Sequence, residues 1–170
     1  MNGKVSSMIM DKEKIIRLVL FSGIVLILDQ ITKIVILKYL YLHQEIPVIQ
    51  GFFNIVSVRN PGGAFGFLAG HSTLVRTLVF FVVSGFAVLA VLYFYWSTPK
   101  ELKWLSCAFA MILGGAAGNL VDRIRFGEVV DFLDFYYGTY HWPAFNVADS
   151  AITIGMAVFI WHVVLGKIPD

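Results

Sequence analysis

Charge is scarce in this chain. Asp, Glu, Lys and Arg together make up 14% of its 170 residues, against about 25% in an ordinary soluble domain. Hydrophobic residues make up 58%, and mean hydropathy is +0.78, a membrane composition. The formal net charge of +2 and the lack of a basic cluster interleaved with aromatics argue against nucleic acid as a partner. Cysteine is almost missing. Cys107 stands alone, so an internal disulfide and a thiol-based metal site are excluded; it reads as a small hydrophobe in the bilayer. No His-Glu-x-x-His occurs, so the zinc-protease reading lacks its ligands. No Gly-x-Ser-x-Gly elbow occurs either. Repeats and low-complexity tracts are not evident.

Long apolar runs fill the rest. A crossing helix needs about 20 mostly apolar residues, and four runs qualify: about 15–37, 77–96, 104–121 and 147–165. The expected class is an all-α polytopic membrane protein, one domain over residues 1–170. The first run is too long for a signal peptide and no small-x-small site follows it, so it is expected to be an uncleaved anchor. Lys4, Lys12, Lys14, Arg17, Lys100, Lys103 and Lys167 fall on one side of such a bundle; Lys38, Arg59, Arg76, Arg123 and Arg125 fall on the other. The bias makes the first side cytoplasmic, with both termini there. Trp96, Trp104, Trp142 and Trp161 suit an interfacial belt.

The outer segments are then about 42–75 and 123–145. Gly51–Asn60 is rich in β-formers and is followed by Pro61 and glycines, which predicts a small antiparallel sheet on the membrane surface. The run Pro61–Phe67 is expected to turn tightly, with glycines that permit close backbone approach.

Against this apolar background a few polar residues stand out. Asp131 lies in Val-Val-Asp-Phe, and Asp149 in Phe-Asn-Val-Ala-Asp. Ionisable groups set in apolar runs are costly and are functional candidates by default. Asp131 follows the third span and Asp149 opens the fourth, so both belong to the outer surface. Two facing carboxylates cannot both ionise easily, which yields one acid and one base. Asp134 competes with Asp131, and position alone does not choose between them. Asp29 and Lys33 share a helix face four residues apart; a structural ion pair is favoured over direct chemistry. Gly114-Gly115-Ala116-Ala117-Gly118 reads as a close helix contact. Asp122 is expected to pair with Arg123 or Arg125. Asn60, Asn119 and Asn146 either converge on the aspartates, where they would serve a peptide backbone, or cap helices, as Asn146 could do for the fourth. His71 and His141 read as surface residues and His162 as interfacial. A divalent metal on Asp131, Asp134, Asp149 and His141 lacks a recognisable ligand spacing.

Five motifs occur in order: Asp29-Gln30-Ile31-Thr32-Lys33, Asn60-Pro61-Gly62-Gly63-Ala64-Phe65, Gly118-Asn119-Leu120-Val121-Asp122-Arg123, Val130-Asp131-Phe132 and Phe145-Asn146-Val147-Ala148-Asp149. With them the chain resembles the bacterial lipoprotein signal peptidase (signal peptidase II) family over nearly its whole length. The resemblance implies an aspartyl endopeptidase of the bacterial cytoplasmic membrane, without cofactor, that removes the signal peptide from prolipoproteins before a diacylglyceryl-modified cysteine. It implies that Asp131 and Asp149 are the catalytic pair. Asn60, Gly62, Asn119, Arg123 and Asn146 would line or shape the substrate site, with Asp29 and Lys33 in support. Membrane lipids and the cyclic peptide antibiotic globomycin become expected partners. Proline and two glycines at 61–63 depart slightly from the family's pattern. The alternatives are a small proton-linked transporter, using intramembrane carboxylates as a relay, and a non-catalytic assembly factor.

Overall fold

The computed structural model describes residues 12–62 and 73–166. In chain order these form α1 (Lys12–Tyr39), β1 (Glu45–Ile49), β2 (Phe53–Asn60), α2 (Thr73–Ser97), α3 (Lys103–Phe126), β3 (Val129–Tyr137), β4 (Tyr140–His141) and α4 (Val147–Val164). Four helices are long and apolar enough to cross a membrane. A four-stranded antiparallel sheet, ordered β1-β2-β3-β4, caps one end of the bundle.

The helix α3 is the bundle's axis and packs against each of the other three. Its small-residue run makes this possible. A methyl group added at Gly114 would lie 2.6 Å from the Ser22 carbonyl of α1, and one at Gly115 would lie 2.5 Å from the Ala148 carbonyl of α4. Only glycine lets both backbones come so near. On the flank, Phe109 of α3, Phe94 of α2 and Phe159 of α4 pack as one aromatic group. At the opposite end from the sheet, Lys14 Nζ donates to the Trp96 and Thr98 carbonyls at the C-terminus of α2, at 3.1 and 2.5 Å. A cation there offsets the negative end of the helix. The outward faces of α1, α2 and α4 are apolar and exposed, as with Ile27, Phe86 and Ile160, which is the surface lipid would cover.

Two elements differ from the sequence reading. The third helix does not stop near Val121; it runs on through Asp122, Arg123 and Arg125 and ends where Gly127 adopts a left-handed conformation, φ 75°. Glycine takes that stop without a Cβ clash. The sheet is also larger than expected. The sequence predicts strands only in the first outer segment, yet β3 and β4 come from the second, and β3 runs against β2 with Val58 opposite Asp131 and Asn60 opposite Val129. Pro47 sits in β1, an edge strand, where its missing N–H is tolerated. Gly63–Phe67, whose tight turn the sequence predicts, and His71 lie outside the described residues.

Candidate active site

Strand β3 alternates. Val130 and Phe132 point into a core cluster with Ile36 of α1, so Asp131 between them points the other way. Asp149 is placed by a different device. Asn146 is the N-cap of α4: its Oδ1 accepts from the Asp149 N–H at 2.9 Å, and Asp149 Oδ2 accepts from the Asn146 N–H at 3.3 Å, a capping box. Asn-Val-Ala-Asp therefore fixes one aspartate simply by starting a helix.

Asn146 also joins the two acids. Its Nδ2 donates to Asp131 Oδ1 at 2.7 Å, while its backbone N–H and Oδ1 hold Asp149. The remaining oxygens are covered in the same style. Asn60 Nδ2 donates to Asp131 Oδ2 at 3.1 Å, and Asn119 Nδ2 donates to Asp149 Oδ1 at 2.7 Å. The two other asparagines are kept the right way round by partners behind them. Lys33 Nζ donates to Asn119 Oδ1 at 3.0 Å, and the Gly62 N–H donates to Asn60 Oδ1 at 3.0 Å. With each carbonyl oxygen engaged, each amide N–H faces a carboxylate. Both readings of Asn146 raised by the sequence hold together: it caps a helix and it serves the aspartates.

Behind this layer lies a buried charge cluster. Lys33 Nζ sits 2.9 Å from Asp29 Oδ2 and 2.8 Å from Asp122 Oδ2. The structural ion pair between Asp29 and Lys33 is present, but Asp122 corrects the sequence reading: it joins Lys33 rather than Arg123 or Arg125. Asp122 Oδ2 also accepts from the Val130 N–H at 3.1 Å, and Asp29 Oδ1 accepts from the Ala148 N–H at 3.0 Å. Those are the residues next to Asp131 and Asp149. Gln30, not singled out by the sequence, donates to Asp29 Oδ2, Asp122 Oδ1 and the Gly118 carbonyl at 3.0–3.2 Å. Its place in Asp29–Lys33 was the available signal.

Asp131 and Asp149 line one cavity of about 460 Å³, with Asn60, Asn119 and Arg123. Trp142, Pro143, Ala144 and Phe145 line it too, and Ile152 and Ile154 of α4 add apolar lining. Trp142, expected at the membrane interface, also lines the cavity. Arg123 Nη1 donates to the Asn119 carbonyl at 3.2 Å, and its guanidinium lies 4.6 Å from the Phe80 ring centroid. Gly62, Asn146, Asp29 and Lys33 act from behind the lining. Asp134 lies apart from the cavity. It accepts from Asn54 Nδ2 at 3.0 Å and pairs with His141 Nδ1 at 2.9 Å. His141, read as a plain surface residue, is half exposed and stacked on Tyr136. His162 stays on its own helix, with Nδ1 2.8 Å from the Val158 carbonyl.

Burial pushes the Asp131 carboxyl up to about 7, and the negative charge of Asp149 adds to the push; the amides of Asn60 and Asn146 pull less strongly the other way. A carboxylic acid can therefore persist near neutral pH beside a second carboxylate. That is the acid–base pairing which hydrolysis of an amide by water requires.

Comparison with known proteins agrees in family and fold. The profile of the signal peptidase (SPase) II family matches residues 21–165. A lipoprotein signal peptidase of Desulforapulum autotrophicum is 55% identical over 161 residues, covering 95% of this chain and 99% of the relative. One of Syntrophus aciditrophicus is 49% identical over 149 residues, covering 88% and 92%. A solved structure of a bacterial membrane enzyme superposes with a TM-score of 0.79 at 34% identity, covering 88% of each chain. None of these matches supports a transporter. The chain belongs to the signal peptidase II family, the membrane-embedded proteases that remove signal peptides from lipoproteins.

Proposed function

We propose that Asp131 and Asp149 are the catalytic pair and that the cavity they line receives the scissile peptide of a lipid-modified prolipoprotein. The ionised member takes a proton from water, whose oxygen attacks the carbonyl carbon. The protonated member polarises the carbonyl oxygen and then gives its proton to the leaving amide nitrogen as the C–N bond breaks. The two acids exchange roles, and the proton belongs to the pair rather than to one residue. Asn60, Asn119 and Asn146 orient the acids, and Asn60, Asn119 and Arg123 offer donors to the peptide backbone from the cavity wall, while Gly62, Asp29 and Lys33 hold those residues in place. The observation that carries this reading is Asn146, which binds both aspartates at once.

Cleavage falls before a diacylglyceryl-modified cysteine. The apolar side of the cavity at Ile152 and Ile154 suits acyl chains that remain in lipid while the peptide bond sits at the interface. The active site lies near the outer face of the bacterial inner membrane, with both termini cytoplasmic, and globomycin-type cyclic peptides occupy the same cavity. Asp131→Asn and Asp149→Asn, each checked for retained helicity, are expected to lower kcat on a lipidated precursor by about 10²–10⁴-fold or more. Normal turnover in both variants would remove the pair from the mechanism.

A further inference from the structure

Arg59 and Arg125 play no part in the cavity just described. Strand alternation turns Arg59, opposite Val130, to the sheet face away from Asn60 and Asp131. There its guanidinium lies 5.3 Å from the centroid of the Phe126 ring, and the Arg125 guanidinium lies 4.8 Å from the same ring. Two cations share one aromatic side chain. Among the described residues neither forms an ion pair with a carboxylate. Among the described residues, Arg59 Nη1 is buried and has no hydrogen-bond partner. A buried donor on a charged group without an acceptor is costly and needs an explanation. The arginines sit where α3 ends, at the sheet's end of the bundle, and Ile124 beside them is 64% exposed.

We propose that Arg59, Arg125 and Phe126 form a binding site for the phosphodiester of a net-anionic phospholipid headgroup, one that carries no cation of its own, in the leaflet on the sheet's side. An anion there, which the orphaned Nη1 meets once the Arg59 guanidinium turns outward, neutralises the two like charges and matches the planar guanidinium fork. Its acyl chains run down past Ile124. The chemistry is that of any oxyanion, but the position at an apolar helix end selects one attached to a lipid. The site stands on the opposite sheet face from Asp131, so it is separable from peptide cleavage.

Native mass spectrometry of the full chain in neutral detergent tests it, with phosphatidylglycerol, phosphatidylcholine and inorganic phosphate as probes. Phosphatidylglycerol is expected to fill one saturable site more tightly than phosphatidylcholine. Arg59→Gln should weaken it about tenfold or more, Arg125→Gln less, and Lys38→Gln, which changes a cation over Tyr39, not at all. Arg59→Lys, which keeps the charge and loses the fork, should fall between wild type and Arg59→Gln; it also serves if the glutamine variant does not fold. Equal binding of the two lipids, or arginine variants that bind as wild type does, overturns the proposal. Saturation by inorganic phosphate with the same arginine dependence also overturns it, by making the ligand a free anion.

Discussion

Asp131 is tuned by what surrounds it more than by what it is. Its folded-state pKa, about 7, lies above the value near 4 that an unfolded chain would show. The folded form therefore binds the proton more tightly, and stability falls as pH climbs from about 4 to about 7, then levels. Asp131→Asn removes that loss. The variant is expected to be inactive yet more stable than wild type at pH 8, by up to about 4 kcal/mol, with the difference fading toward pH 4. Thermal unfolding in detergent across that range measures it; a wild type whose stability rises through the same window contradicts the assignment. Lys33 makes the opposite case. Lys33→Met strands Asp29 and Asp122 together in the interior and should cost about 3–5 kcal/mol, seen as a lower midpoint in the same assay. At this scale the sequence was legible where a polar residue broke an apolar run, as with Asp29, Lys33, Asp131 and Asp149. It was misleading for Asp122, because the partner it chose lies on another helix. Neighbours in sequence, Arg123 and Arg125, looked sufficient.

Helix α3 shows why the elements sit where they do. Gly115 lies against the backbone of α4 at Ala148, one residue before Asp149. Gly115→Ala should push α4 off α3, cost about 1–3 kcal/mol and reduce cleavage, because Asp149 moves with its helix. Gly23→Ala is the control: a methyl there meets nothing within 4 Å, so the change should be neutral or stabilising by up to about 1 kcal/mol, with cleavage intact. Equal effects at the two positions would falsify the close-contact account. Hydropathy alone located four helices, since length and apolarity are local properties. Strand β3 was missed for a physical reason. Val129–Tyr137 carries two aspartates among its apolar and aromatic residues, so no clean alternation was visible until Asn54 and Asn60 on β2 supplied partners for Asp134 and Asp131.

As a whole the molecule is a bundle that lifts one polar cluster to its edge and floors it with buried charge. The asparagines come from β2, α3 and the start of α4, and the acids from β3 and α4. A reader of the sequence could expect these residues at one surface, but their mutual bonding depends on helix packing that no local pattern encodes. If the substrate is acylated as proposed, its chains stay in lipid at about 0.8 kcal/mol per buried methylene, and a deacylated peptide of the same sequence should show KM raised by more than about 10²-fold, with a smaller change in kcat. In the proposed mechanism Asp131 and Asp149 work as one unit, and a double-variant cycle tests that coupling. Turnover of a lipidated precursor is measured for Asp131→Asn, Asp149→Asn and the double variant. If the acids share one proton and one water, the double variant loses no more activity than the worse single. Losses that multiply, or a single variant that keeps wild-type turnover, would contradict the account.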